Sequence, residues 1–247
     1  MQDNCSAWPE RSGHLLHDAR HASVLTGRRA LLVSIILCCA ALVIIVALGP
    51  VLHDEAVRSD FTLKGMGPSL VHLFGTDWMG RDMLARTVCG LSTSIYIGLI
   101  AAMASSVIAF LLASIAAFGG RFADAVVCWF IDLVMGIPHI VLLVLISYAL
   151  GRGALGVFVG ISVTHWPSLA RVLRAEMLQV RSEPHIQCAR SLGSSWPAIA
   201  FRHILPAVLP QFLVGLVLLF PHAILHEASI TFLGFGLSPE EPAIGVI

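Results

Sequence analysis

Charged residues are scarce in this sequence. Only 12% of its 247 residues are charged and 57% are hydrophobic, whereas a soluble domain carries about 25% charged residues. This composition excludes an ordinary soluble domain and predicts an integral membrane protein with several spans, in contact with lipid. The formal net charge is zero, so the overall charge indicates no particular partner, and we expect no nucleic acid among the partners.

Lysine is almost absent, since Lys64 is the only one in the chain. The sequence also lacks the G-x-x-x-x-G-K-[ST] motif, whose lysine and glycine amides hold nucleotide phosphates in P-loop proteins. We therefore expect no cofactor in this chain, and any ATP chemistry must lie in a partner subunit.

Two enzyme motifs are also missing. The six cysteines form no CxxC pair and have no metal-ligand spacing. His226-Glu227 begins like an H-E-x-x-H zinc motif, but Ile230 stands where the second histidine is needed. We therefore expect no catalytic residues and no stable metal site, which argues against a membrane protease.

Long apolar runs dominate the rest of the chain. A helix needs about 20 apolar residues, at 1.5 Å each, to cross a hydrocarbon core of ~30 Å. The first run follows a polar tail, residues 1–29, and is too long for the apolar region of a signal peptide. The predicted spans are residues 30–51, 91–118, 125–150, 154–170 and 205–226. We therefore expect an all-α polytopic membrane protein with five spans.

The basic residues indicate the orientation of these spans. If the N-terminus is cytoplasmic, the inner segments 1–29, 119–124 and 171–204 hold ten of them and the outer segments hold five. Cytoplasmic loops carry an excess of lysine and arginine. This distribution predicts a cytoplasmic N-terminus, and an external C-terminal segment after the fifth span.

The segment 171–204, between the last two predicted spans, is polar and rich in turns. Pro184, Gly193 and Pro197 interrupt its helical stretches, and a short helix is expected over residues 185–192. The composition leaves two interpretations open: a solvated loop with interfacial helices, or a short helix that docks onto a soluble partner.

A spaced motif lies within this segment. Gln187-Cys188-Ala189 is followed after three residues by Gly193, and after nine more by His203-Ile204-Leu205-Pro206. The spacing resembles the cytoplasmic loop of permease subunits of binding-protein-dependent ABC importers, whose motif is Glu-Ala-Ala, three residues, Gly, nine residues, Ile-x-Leu-Pro. Glutamine, cysteine and histidine here replace the glutamate, the first alanine and the isoleucine. The residues that this resemblance assigns to ATPase coupling are Gln187, Cys188, Ala189, Gly193, Leu205 and Pro206.

Two further stretches resemble the peptide and nickel branch of that family. FGTDWMGRDMLARTVCGLSTSIYIGL, residues 74–99, resembles the Gly-Thr-Asp-x-x-Gly-Arg-Asp signature before the second span. EASITFLGFGLSPEEPAIG, residues 227–245, resembles the sequence after the fifth span. We therefore expect an outer loop over residues 52–90 and a type I ABC importer transmembrane domain over residues 91–247. The sixth span usual in the family is not found here.

The resemblance implies an importer with two permeases, two ATPase subunits that bind ATP and Mg²⁺, and an external solute-binding protein. This chain would be one non-catalytic permease of the cell inner membrane. Residues 185–196 would form a coupling helix in a groove of the ATPase. Arg190 and Arg202 are candidates for pairing with acidic groups of that partner.

Ionisable residues inside membrane segments are costly and often functional. We expect Asp132 to form a structural pair. His222 and His226 are four residues apart and so face one side of a helix, and neutral imidazoles suit Ni²⁺, Cu²⁺ or Zn²⁺. The predicted substrate pathway comprises His139, His222, His226 and Glu227. His165 is a further ionisable candidate within the predicted spans.

Cargo is inferred from the same histidines. Peptide-type permeases generally lack the histidine pair before the shared Glu-Ala, so the resemblance is closer to nickel-type permeases. We therefore expect nickel, free or chelated, with di- or oligopeptides as the alternative. A stand-alone carrier or channel is the alternative of another class. His14, His17 and His21 are expected in a solvated tail.

Overall fold

A computed structural model describes residues 12–247, and their side chains from residue 28 onward. Its regular structure is helical, with a single isolated antiparallel bridge between Thr76 and Asp82 in the described part. The prediction of an all-α fold is confirmed. Residues 1–11 of the expected tail, and the side chains of its three histidines, lie outside the described residues.

The first helix, α1, runs from Ser12 to Val57. The chain divides near residue 45 into two compact units, residues 1–45 and 46–247. The early part of α1 belongs to the first unit, and the elements described below belong to the second. From residue 28 to residue 57, α1 is long and apolar enough to cross a membrane, which agrees with the first predicted span.

The segment 58–82 connects α1 to the next helix and is organised by Asp77. The Asp77 carboxylate accepts hydrogen bonds from the Met79 N–H at 2.8 Å, the Arg81 N–H at 2.9 Å and the Arg81 Nε at 2.7 Å. Burial acts to raise the pKa of Asp77, but these hydrogen bonds outweigh it and hold the pKa below its ordinary value. The Gly-Thr-Asp-x-x-Gly-Arg-Asp stretch is thus a compact turn built around one carboxylate.

Two further contacts close this turn. Gly80 has a φ of +76°, and a Cβ added there would lie 1.7 Å from the Asp60 carbonyl oxygen, so only glycine fits. Asp82 caps the next helix by accepting a hydrogen bond from the Ala85 N–H at 2.8 Å. The signature therefore fixes the start of the second long helix.

The remaining α-helices range in length from four to 36 residues. A 3₁₀ turn covers Phe61–Leu63, and a π-helical turn over Ala200–Ile204 leads into the last helix. The other helices are α2 (Met83–Phe118), α3 (Gly120–Gly136), α4 (His139–Ala149), α5 (Ala154–Thr164), α6 (Trp166–Ser182), α7 (Pro184–Ser191), α8 (Trp196–Ile199) and α9 (Leu205–Phe232).

Helix α2 lies at the centre of the second unit and packs against α3, α5, α6 and α9. Its buried positions are mostly alanine, serine and glycine, small residues that let membrane helices approach closely. A Cβ on Gly98 would lie only 2.6 Å from Cγ1 of Ile224 in α9. The Ser105 hydroxyl donates to the Ser162 carbonyl of α5 at 2.9 Å. Close backbone approach therefore holds these helices together.

Prolines mark the breaks between neighbouring helices. Helices α3 and α4 meet at an angle of 91°, where Pro138 follows Ile137. Proline lacks an N–H and disfavours a helical conformation of the residue before it. His165 separates α5 from α6, and Pro167 lies in the first turn of α6. The second unit is therefore a bundle with two broken helix pairs.

The number of spans differs from the prediction. Three helical segments in the described residues are long and apolar enough to cross a membrane, or four if the bent pair α3–α4 is one span. The segment 154–170 does not qualify, since α5 has 11 residues and is only ~16 Å long at 1.5 Å per residue. The α6 helix that follows carries several arginines. The count of five spans is not confirmed.

Candidate functional site

Three histidines that are distant in the sequence meet in the second unit. His139 begins α4, His165 joins α5 to α6, and His226 lies in α9. The ring centroids of His139 and His165 are 4.4 Å apart, those of His139 and His226 4.5 Å, and those of His165 and His226 4.9 Å. Each ring offers one nitrogen, and the three nitrogens lie within 4.8 Å of one another. We refer to these residues as the histidine cluster.

The helix breaks place these rings together. His139 directly follows Pro138 at the 91° bend, and His165 precedes the Trp166-Pro167 start of α6. Both breaks lie beside α9, whose half-buried His226 completes the cluster. The pathway predicted from the sequence included His139 and His226 but not His165. His165 lies two residues before Pro167, a second helix-breaking proline, and this is the sequence feature that could have indicated its position.

The environment of His165 assigns its tautomer. Its Nδ1 lies 3.0 Å from the Ile161 carbonyl oxygen. A carbonyl oxygen only accepts, so in the neutral ring Nδ1 carries the proton and Nε2 keeps its lone pair. His165 is buried, and its Nε2 has no hydrogen-bond partner among the described residues. An unsatisfied buried nitrogen is costly, and this one is available to bind a ligand.

The cluster lies on the wall of an open cavity of about 490 Å³. One side of the cavity is formed by residues 134–139 at the α3–α4 break. The other side is formed by Thr164, His165, Pro167 and Ser168 at the α5–α6 junction, with His226 from α9. The cavity therefore exists because two helices are interrupted at the same level of the bundle.

His222 lies on a neighbouring cavity instead. Its Nδ1 is 2.8 Å from the Leu218 carbonyl oxygen of its own helix, and its side chain is exposed. It lines a second cavity of about 280 Å³ together with His165 and Gln211. The structure thus brings His226 into the histidine cluster and leaves His222 outside that set, although His165 borders both cavities.

Glu227 lies away from both cavities. Its side chain is fully buried, and Oε1 accepts a hydrogen bond from the Thr231 hydroxyl at 2.9 Å. Oε2 has no hydrogen-bond partner within the described chain. Of the four residues in the predicted pathway, Glu227 is therefore the one that the structure places in the packed interior.

Ion pairs join α3 to α6. Asp132 accepts a hydrogen bond from Arg171 at 2.8 Å, and both side chains are exposed. This contact confirms the expected pairing of Asp132. Asp124 is held by two nitrogens of Arg174, with Nη2 at 2.6 Å from Oδ2. These two ion pairs connect α3 to α6, the helix that begins directly after His165.

The predicted short helix of the loop is present. Helix α7 spans Pro184–Ser191, in agreement with the expected residues 185–192. Gln187 and Cys188 are exposed on it and Ala189 is half-buried. Gly193 ends the turn with a φ of +88°. The exposed face of α7 is available to a partner, and its role in ATPase coupling stays a prediction.

Two features of this loop were not predicted from the sequence. Leu192, just after α7, is 87% exposed. Two guanidinium groups lie over the Trp196 ring, Arg181 at 4.4 Å and Arg190 at 4.5 Å from the ring centroid. The sequence suggested Arg190 as a partner for acidic groups, whereas here it packs on an aromatic ring. Arg181, Arg190 and Trp196 lie on three different helices, α6, α7 and α8. The spacing of residues within one helix therefore does not predict the contact.

The predicted Leu-Pro positions begin the last helix. Leu205 and Pro206 form the first turn of α9, where a proline is tolerated because the first N–H groups of a helix have no partner within it. The loop therefore returns to the bundle at the residues that the motif marks.

These observations define a class of protein: a helical, multi-span membrane protein with broken helices, a cavity lined by histidines and an exposed helical loop. Residues 105–246 match the family model of the binding-protein-dependent transport system inner membrane component. The match covers more than half of the chain, and the chain belongs to this family, whose members are non-catalytic ABC transporter permeases.

Several proteins similar in sequence to this chain are named as peptide or dipeptide permeases. A peptide permease protein of Brucella suis is 35% identical over 186 residues, which cover 75% of this chain and 62% of that protein. A peptide transport system permease protein of the same organism is 35% identical over 229 residues, covering 91% and 77%. The dipeptide transport system permease protein DppC of Bacillus subtilis is 28% identical over 207 residues, covering 83% and 65%. The chain thus spans about three fifths of the first of these relatives.

A solved structure supports the fold. A crystal structure of an amino acid ABC transporter with histidines matches 66% of this chain and 75% of its own, with a TM-score of 0.53 and 18% identity. At this identity the likeness concerns the fold alone.

Proposed function

We propose that this chain is a permease subunit of an ATP-driven ABC importer, forms half of the translocation pathway across the cell inner membrane, and carries di- or oligopeptides. The observation that carries the proposal is the family match of residues 105–246. Relatives named peptide or dipeptide permeases favour a peptide cargo over the nickel expected from the sequence.

The arrangement of α6 supports coupling between the loop and the cavity. This helix begins at Trp166, next to His165, and ends at Ser182, just before α7. Its 17 residues make a rod of ~26 Å at 1.5 Å per residue. A movement of α7 driven by a closing ATPase would reach the cavity through this rod, and the ion pairs to α3 would carry α3 with it.

The proposed partners follow from this arrangement. Two ATPase subunits dock on residues 171–204, and one of them contacts the exposed face of α7. A second permease completes the pathway, and an extracytoplasmic solute-binding protein delivers the cargo. The N-terminus is cytoplasmic, as the distribution of arginines indicates.

Nickel, free or chelated, is the second candidate cargo. The observation that favours it is the histidine cluster on the cavity wall, because imidazole nitrogens suit Ni²⁺. A peptide permease requires no such cluster, so the two cargoes can be separated by experiment.

The test is uptake by cells that express the complete transporter, with and without this subunit. Labelled dipeptide, labelled tripeptide and ⁶³Ni²⁺ are supplied in parallel. We expect deletion of this subunit to abolish peptide uptake and leave nickel uptake unchanged. Loss of nickel uptake alone would reverse the order of the two cargoes. Unchanged uptake of every substrate would contradict the importer proposal.

A further inference from the structure

We infer that His139, His165 and His226 form a binding site for one divalent ion of the late first-row transition metals, Ni²⁺, Cu²⁺ or Zn²⁺. This departs from the sequence analysis, which expected no stable metal site. The inference concerns binding at equilibrium and does not depend on which cargo the importer carries.

The ligand atoms are of the right kind and nearly in place. Neutral imidazole is a preferred ligand of these three ions. Three nitrogens bound at 2.0–2.1 Å to one tetrahedral ion lie ~3.3 Å apart, and those of the cluster already lie within 4.8 Å of one another. Small rotations of the side chains close the difference. His139 and His226 are only half-buried, so these rings have room to turn.

His165 carries a second, independent indication. It is 8% exposed, and the hydrogen bond to the Ile161 carbonyl leaves the Nε2 lone pair without a partner in the described chain. A backbone carbonyl on the other ring nitrogen is the usual outer partner of a metal-ligating histidine, because it fixes the tautomer and the ring orientation. A packing role would explain the buried ring but not the unsatisfied nitrogen.

The surroundings permit both entry and exchange. The cluster borders the open cavity of about 490 Å³, so an ion can approach it from the side of the half-buried rings of His139 and His226. Three protein ligands leave at least one coordination position free. That position takes a water molecule when the ion enters alone, or an atom of a small chelator when the ion arrives bound. The site therefore suits either a free or a chelated ion.

The test is metal binding to the full-length chain, purified in nanodiscs with the subunits that accompany it and without a histidine tag. His14, His17 and His21 are changed to alanine throughout, which removes the histidines of the N-terminal tail. Equilibrium dialysis measures NiCl₂ alone, and Ni²⁺ premixed with a dipeptide. We expect one ion per chain, and an affinity at least ~10-fold weaker in each of His139→Ala, His165→Ala and His226→Ala. His185→Ala, on the exposed face of α7, is the matched control and should bind as the parent does.

X-ray absorption at the nickel edge of the parent chain provides a readout that needs no cluster variant. We expect scattering from three imidazole rings. Fewer than three imidazoles, or a triple variant that binds as tightly as the parent, would overturn the inference. Binding of the dipeptide-bound ion alone would support the site with a chelated ion as its ligand. Peptide uptake enters none of these measurements, so a failure of the proposed function leaves them unaffected.

Discussion

The loop of residues 171–204 and the histidine cluster differ in how the chain builds them. Helix α7 and the Gly193 turn come from neighbouring residues, whose spacing is visible in the sequence. The histidine cluster joins α4, α9 and the α5–α6 junction, and no two of its members are closer than 26 positions in the sequence. A surface for a partner can be encoded locally, whereas a pocket inside a bundle requires tertiary structure.

This difference implies that the two regions can be damaged separately. The loop lies between α6 and α9, and the cluster lies farther along both helices, next to the start of α6 at His165 and within α9 at His226. Changes in the loop should affect partner coupling and leave metal binding intact. Changes in the cluster should do the reverse. The following predictions test that separation, beginning with the largest expected effect.

Gly193→Pro should abolish peptide uptake while the chain still inserts into the membrane. Gly193 has a φ of +88°, and proline is fixed near −65°, so the turn after α7 cannot form. Uptake of labelled dipeptide and the amount of chain in isolated membranes are measured together.

Gly193→Asn is the matched control, because asparagine tolerates a positive φ better than other residues with a side chain. It should retain most of the uptake. Normal uptake by the proline variant would remove the coupling role from this turn, and an absent chain would show a defect of folding instead.

Trp196→Ala should loosen the loop without unfolding the bundle. It removes contacts with Arg181 and Arg190, each worth at least about 0.5–1 kcal/mol because Trp196 is half-buried. Hydrogen exchange of the α7 amides should accelerate roughly 5–30-fold. Trp129→Ala, on α3, is the comparison, and its α7 amides should exchange as in the parent. Equal rates in both variants would mean that the stacked guanidinium groups do not hold α7.

Asp132→Asn should lower the free energy of unfolding by no more than about 1 kcal/mol, because its pair with Arg171 is exposed. Asp124→Asn should cost more, since Arg174 holds Asp124 with two nitrogens in a partly buried position. Thermal unfolding in detergent compares the two. A larger loss of unfolding free energy in Asp132→Asn than in Asp124→Asn would show that side-chain exposure does not determine how strongly each pair joins α3 to α6.

The triple change of His139, His165 and His226 to alanine should leave ATPase recovery unchanged. The cluster lies at the far end of α6 from the loop, so docking should not sense it. Co-purification of the ATPase with the parent, the triple variant and Gly193→Pro gives the comparison. Loss of the ATPase from the histidine variant would show that the two regions are not separable.

The sequence predicted the features that depend on local order. The helical fold, the short helix before Gly193, the pairing of Asp132 and the family are confirmed. Coupling by the loop and the pathway histidines stay predictions. The cluster was predicted only in part, because the ring of His165 is brought to the other two by breaks whose angle a sequence does not specify. The span 154–170 is not confirmed, since α5 ends at Thr164 and hydrophobicity does not show where a helix stops.

The 91° bend between α3 and α4 also affects the energy of any ion in the cavity. Backbone groups freed at such a break are tolerated at membrane depth where they line a water-filled space or are buried in protein. The break borders the open cavity, so water can reach its peptide groups. An ion entering there can keep part of its hydration shell, and the imidazoles need to replace only the remainder.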